Sequence, residues 1–141
     1  MHPEGSLRKV LLLFFCLLQA SISFSSEWYR DYENGKEKAE KNQCDEAEKL
    51  LLSALGKNPK AELRSRPYGT MNMEYFPQYF LARCSFQKGD LAKTKKYLTE
   101  AQEAGIEASS SREEYRVLKN RLAAKHMEAQ AQAQTQTSPS Q

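Results

Sequence analysis

Apolar and small residues recur along this chain at helical spacing. From Asp45 to Leu55 they fall at Ala47, Leu50, Leu51, Ala54 and Leu55. That spacing of i, i+3, i+4, i+7 and i+8 draws one stripe of an amphipathic helix. In "GKNP", Gly56 suits a C-terminal cap and Pro59 cannot continue the helix. A second stripe runs Leu91, Thr94, Tyr97, Leu98 and Ala101 and stops near Gly105. Ahead of it, Phe76, Tyr79, Phe80, Ala82, Arg83 and Phe86 set their aromatics on one face. Pro77 fits only a first turn, so that helix is expected to open at about Glu74. A last helix, "SREEYRVLKNRLAAKHM", carries Tyr115, Leu118 and Leu122. Ser110 or Ser111 can cap it, with Glu113 and Glu114 in its first turn. No segment alternates convincingly as a strand, and the predicted class is all-α.

The pattern also repeats. Glu27, Trp28, Tyr29 and Tyr32 lie 47 residues before Glu74, Tyr75, Phe76 and Tyr79. The offset persists through Gly35/Ala82, Lys41/Lys88, Leu51/Leu98 and Ala54/Ala101. Each copy therefore reads as a helix, a tight turn at Asn42 or Gly89, and a second helix. Small residues at fixed offsets let the paired helices approach closely. An accidental self-similarity within a four- or five-helix bundle is the plainer alternative.

The residues Leu81-Ala82, Gly89-Asp90, Leu98 and Ala101 in the second copy, with Gly35, Ala47, Leu51, Ala54 and Pro59 in the first, resemble the tetratricopeptide repeat (TPR) family. Two departures stand out. Thr94 occupies a position where that family prefers alanine, and the 47-residue offset exceeds the family's period of about 34. The surplus is "AELRSRPYGTMNM", Ala61 to Met73. The resemblance implies antiparallel helix hairpins in two TPR-like units, plus a C-terminal capping helix. The expected layout is unit one at 27–60, an inserted loop at 61–73, unit two at 74–106 and the capping helix at 111–127. Together they make a helical domain over 26–127.

The two ends read differently. Arg8 and Lys9 precede an unbroken apolar run from Val10 to Leu18, followed by small residues at Ala20, Ser21, Ser23 and Ser25. This is the layout of a secretory signal peptide, expected at 1–25 with cleavage after Ser23 or Ser25. Nine apolar residues fall short of the roughly 20 that cross a bilayer as a helix. No integral span is expected once the signal is removed; an uncleaved signal acting as an anchor is the alternative. Phe15 before Cys16 disfavours lipid attachment there. The Gln/Ala-rich end, residues 128–141, is polar and low in complexity and is expected to be disordered, as a tether or a solubilising tail. The chain is therefore expected in a secreted or periplasmic setting.

Removing Arg8, Lys9 and Glu4 from the 21 basic and 18 acidic residues leaves a balance of +2. No Lys/Arg block is long enough for a nucleic-acid footprint, so no nucleic-acid partner is expected. His2 and His126 are the only histidines. Neither pairs with a cysteine or serine for nucleophilic catalysis, and no cluster has metal-ligand spacing. No Gly-rich phosphate loop occurs. The expectation is no enzyme, no metal and no cofactor.

Cys44 and Cys84 remain in the mature chain and belong to different units. They are either a disulfide, which an oxidising compartment permits, or two buried small apolar side chains. The resemblance further implies a groove lined by the first helix of each unit. On this chain those positions are Tyr29, Tyr32 and Lys36, then Phe76, Tyr79, Arg83 and Gln87, and about half of the aromatics are expected in the core. Aromatics beside Lys and Arg suit an apolar peptide with acidic or carboxyl-terminal groups. The function implied is an interaction module binding a peptide or partner protein. A structural component that self-associates, or is completed by a partner, is the alternative, because arrays usually need about three repeats. "RSRPYG", with Arg64, Arg66 and Tyr68, reads as an exposed turn carrying specificity or as a solvated connector.

Overall fold

The apolar stripes fold as helices in the computed structural model, which describes residues 27–137. Helix α1 is Trp28–Glu40 and α2 is Cys44–Lys57. Strands β1 (Glu62–Ser65) and β2 (Met73–Tyr75) follow, then α3 (Pro77–Gln87) and α4 (Leu91–Glu103). A short 3-10 turn, Ile106–Ala108, leads into α5 (Arg112–Gln136). The protein is mostly helical. The expected signal peptide lies outside the described residues, and among these no helix is long and apolar enough to cross a membrane.

The 47-residue offset reappears in the backbone hydrogen bonds of the two turns. The N–H of Asn42 donates to Ala39 and that of Gln43 to Lys38, at 3.1 and 2.9 Å. Gly89 donates to Phe86 and Asp90 to Ser85, at 3.0 and 2.9 Å. These paired bonds close a helix through one left-handed residue. Asn42 holds that conformation at φ 61° and Gly89 at φ 79°, and asparagine and glycine are the residues that tolerate it best. Asp90 then caps α4, accepting the Lys93 N–H at 3.0 Å.

Close approach follows from small residues. Ala39, Ala47, Ala54, Ala82 and Ala101 are fully buried. A Cβ added at Gly35 would stand 2.8 Å from Leu51 Cγ, so α1 meets α2 there without a side chain between them. Contacts between α1 and α2 run in reverse order: Lys38 pairs with Glu46, and Asp31 accepts from Ser53 and Lys57 at 2.6 and 2.9 Å.

The structure departs from the helical pattern in four places. First, the predicted loop at 61–73, together with Glu74 and Tyr75 at the predicted start of unit two, forms a two-stranded antiparallel sheet, with Glu62 opposite Tyr75 and Ser65 opposite Met73. Ser65 and Pro67 are buried while Arg64 and Arg66 are exposed. So short an alternation, with polar Ser65 on its inner side, carries little strand signal. Second, α3 begins at Pro77 and not at Glu74. The residue before a proline is driven from helical geometry, and Phe76 sits at φ −133°, ψ 64°. Third, Gly56 lies within α2, which ends at Lys57 with Asn58 as its C-terminal cap. Fourth, α5 runs to Gln136 and not to Met127. Alanine, glutamine and glutamate are good helix formers, although no residue from Ala123 to Thr137 is buried. Ser111 is the N-cap of α5, but its hydroxyl caps nothing; the Glu74 carboxylate instead accepts the N–H of Ser110 at 3.0 Å.

The core is aromatic at one end. Tyr75 from β2 packs edge-on against Trp28 at 4.6 Å and Tyr32 at 4.9 Å between ring centres. Its hydroxyl donates to the Asn58 carbonyl at 2.8 Å. Tyr68 reaches back over Tyr29 at 5.5 Å, so the inserted segment is folded onto α1. A disulfide joins Cys44 to Cys84, with their Cα atoms 5.2 Å apart. It ties the start of α2 to the middle of α3.

Candidate interaction cleft

A concavity of about 760 Å³ lies between α3 and α5. Tyr79, Arg83, Phe86 and Gln87 form one wall at helical spacing along α3. Glu113, Glu114, Val117, Leu118 and Arg121 form the other along α5, and Asn42 closes the rim from the first turn. Leu118 is buried at the floor, whereas Val117 is 56% exposed. A valine left open beside a buried leucine gives the cleft an uncovered apolar surface.

Its charges are held by specific contacts. The Arg121 guanidinium stands 4.9 Å from the centre of the Phe86 ring, a cation–π distance that orients it across the cleft. Arg83 donates to the Glu40 carbonyl at 3.3 Å. Among the described residues neither arginine pairs with a carboxylate, while Glu113 is engaged by Arg112 at 3.3 Å and Arg116 at 3.5 Å. Burial pushes the Tyr79 phenol above its ordinary range, against the opposing effect of Arg83, so it stays protonated as a hydrogen-bond donor at neutral pH. Gln87 Oε1 lies 3.1 Å from Cys44 Sγ, which places the disulfide directly behind this wall. The arrangement sets two guanidinium groups, the Glu113 and Glu114 carboxylates, a phenol and a carboxamide around an apolar floor. Guanidinium and carboxamide groups are able to hydrogen-bond carboxylate and peptide groups.

Of the seven positions expected to line a groove, Tyr79, Arg83 and Gln87 come together here. The other four lie elsewhere. Tyr32 and Phe76 are buried at 3% and 2% exposure, and the Phe76 N–H donates to the Tyr32 hydroxyl at 3.3 Å. Tyr29 is half-buried under Tyr68. Lys36 lies 5.9 Å from the centre of the Phe80 ring. Of these four, Tyr32 and Phe76 belong to the core, Tyr29 is covered by Tyr68 of the inserted segment, and Lys36 packs beside Phe80.

Val117 and Arg121 were legible only in part. Val117 falls outside the stripe of Tyr115, Leu118 and Leu122, and an apolar residue off the buried stripe is the available signal. Nothing in the sequence brings Arg121 to Phe86. Among the described residues no group of histidine, cysteine and acidic side chains is arranged to hold a metal ion. Comparison with protein-family models, with curated proteins and with solved structures gives no match.

Proposed function

We propose that this protein is an exported, non-catalytic interaction module built from two TPR-like helix hairpins and a capping helix. It binds a peptide or partner protein through the α3–α5 cleft. The observation that carries this reading is the pairing of exposed Val117 with Arg83 and Arg121, two cations without carboxylate partners among the described residues. An apolar floor rimmed by such groups matches a peptide segment that ends in, or carries, a carboxylate. The two hairpin turns with matching hydrogen bonds support the TPR-like reading. The Cys44–Cys84 disulfide supports an oxidising compartment.

The alternative is a structural component that self-associates. The uncovered distal part of α5 favours it, whereas the inserted segment, by closing the aromatic end of α1 from within the chain, favours a self-sufficient monomer. Light scattering on the mature protein separates the two. A monomer that captures a partner from its own compartment, and loses it in Arg83→Glu/Arg121→Glu, supports the module. An obligate dimer through α5, with capture unchanged by those substitutions, contradicts it.

A further inference from the structure

The opposite flank of α5 carries a second concavity, of about 410 Å³, between α4 and α5. Here α4 presents Lys95, Thr99 and Gln102, and α5 presents Tyr115, Lys119 and His126. Leu98 and Leu122, both buried, make the floor with the Tyr115 ring. One end is tied shut, since Gln102 Oε1 accepts from the Tyr115 hydroxyl at 3.1 Å and from Lys119 Nζ at 3.2 Å. The other end opens towards Gln130, where α5 continues beyond its buried residues.

The charges are one-sided. Among the described residues no aspartate or glutamate lines this crevice. Lys93 and Lys96, its neighbours on α4, lie 3.8 Å from Asp90 and 3.9 Å from Glu100 respectively. Lys95 and Lys119, which do line it, pair with no carboxylate among the described residues. The α3–α5 cleft, by contrast, contains two glutamates as well as two arginines.

The shape fits a helix of a few turns. Tyr115 to Gln130 covers sixteen residues of α5, roughly 22 Å at 1.5 Å per residue, and Lys95 to Gln102 of α4 walls about 10 Å of that length. Both walls are helices with side chains at i, i+4 and i+7, and a third helix packs into such a groove with axes about 8–10 Å apart. The chain already uses this arrangement, since α3 lies against both α1 and α2.

We propose that the α4–α5 crevice is a second docking site, receiving an acidic amphipathic helix from a partner protein. Its apolar edge packs over Leu98, Tyr115 and Leu122, and its carboxylates meet Lys95 and draw Lys119 away from Gln102 Oε1. This goes beyond the cleft reading: with sites on both flanks of α5, the protein bridges two partners.

The test uses the full mature chain and a synthetic 18-residue peptide with leucine and alanine on one helical face and glutamate on its flanks. A matched peptide carries lysine for glutamate. The expected result is binding of the glutamate peptide with NMR shifts at His126 and Tyr115. Affinity should fall at least tenfold in Lys95→Glu/Lys119→Glu and stay unchanged in Arg83→Glu/Arg121→Glu. Both lysines are exposed, and a circular-dichroism melt checks folding; Lys95→Gln/Lys119→Gln serves if the reversal unfolds the chain. The proposal is overturned by no binding, by equal binding of the lysine peptide, or by shifts confined to Phe86 and Val117. It is also overturned if phosphatidylglycerol-containing vesicles, and not the peptide, produce the His126 shift. Because the cleft variant is a separate arm, failure of this site leaves the cleft reading standing.

Discussion

At the scale of single residues, two glycines of the first hairpin make opposite predictions. An alanine at Gly35 would drive its Cβ to 2.8 Å from Leu51 Cγ and 3.2 Å from Leu50 Cβ. Leu51 is fully buried, so it has no space to give, and overpacking of this kind costs about 1–3 kcal/mol. That exceeds the gain of up to about 1 kcal/mol from replacing a helical glycine. Nothing lies within 4 Å of the same atom at Gly56. Gly35→Ala should therefore lower stability and Gly56→Ala raise it, read by denaturant unfolding followed through the buried Trp28. Equal signs would contradict the packing described. The tyrosines set a second expectation. Burial raises the Tyr32, Tyr75, Tyr79, Tyr97 and Tyr115 phenols above their ordinary value of 10.0. Raised acids stabilise the fold fully below the unfolded value, and that contribution is lost as pH climbs through the folded values. Stability should hold below about pH 10 and fall above it. Absorbance at 295 nm should show these phenols ionising later in native than in denatured protein; coincident titrations would refute their burial. Why Tyr32 and Phe76 are core was hidden in the sequence, because a stripe of aromatics does not reveal which neighbour it meets. Here the neighbour is Tyr75, delivered by a strand.

At the scale of elements, the helices were readable and the strands were not. Stripes such as Ala47, Leu51 and Ala54 sit at helical spacing and are all buried. The turns at Asn42 and Gly89 were equally plain, since a left-handed residue must be asparagine or glycine more often than anything else. The sheet was obscure because its stability comes from pairing residues 8 to 13 apart in the chain and from packing on α1, neither of which is local. The far end of α5 was read as disordered from its polar composition, yet composition without apolar residues removes packing and leaves intrinsic helix propensity. The disulfide supplies the strongest prediction at this scale. Its cysteines are 40 residues apart, and closing a loop of that length constrains the unfolded chain by about 4 kcal/mol in the loop-entropy description. Reduction, or Cys44→Ala/Cys84→Ala, should lower unfolding stability by about 3–4 kcal/mol. A loss below about 1 kcal/mol would mean that the α2–α3 contact is held by its apolar packing alone.

At the scale of the molecule, α5 is the element on which the functional account turns. Its inner face, Tyr115, Leu118 and Leu122, holds it to the body. One flank faces α3 across the Arg83–Arg121 cleft, and the other faces α4 across Lys95 and Lys119. Tyr79, Arg83 and Gln87 could be named from the sequence because they lie on one face of one helix. The opposing wall could not, since only the fold brings Val117 and Arg121 to that face. The most direct measurement of the central claim is site-specific photo-crosslinking in the cells that make the protein. A benzophenone side chain replaces Val117 in the cleft, or Leu52, which is comparably exposed on α2 at 51%. The account predicts one discrete protein adduct from position 117, lost when Arg83→Glu and Arg121→Glu are added, and none from position 52. Adducts that are equal from both positions, or that persist through both charge reversals, would contradict it.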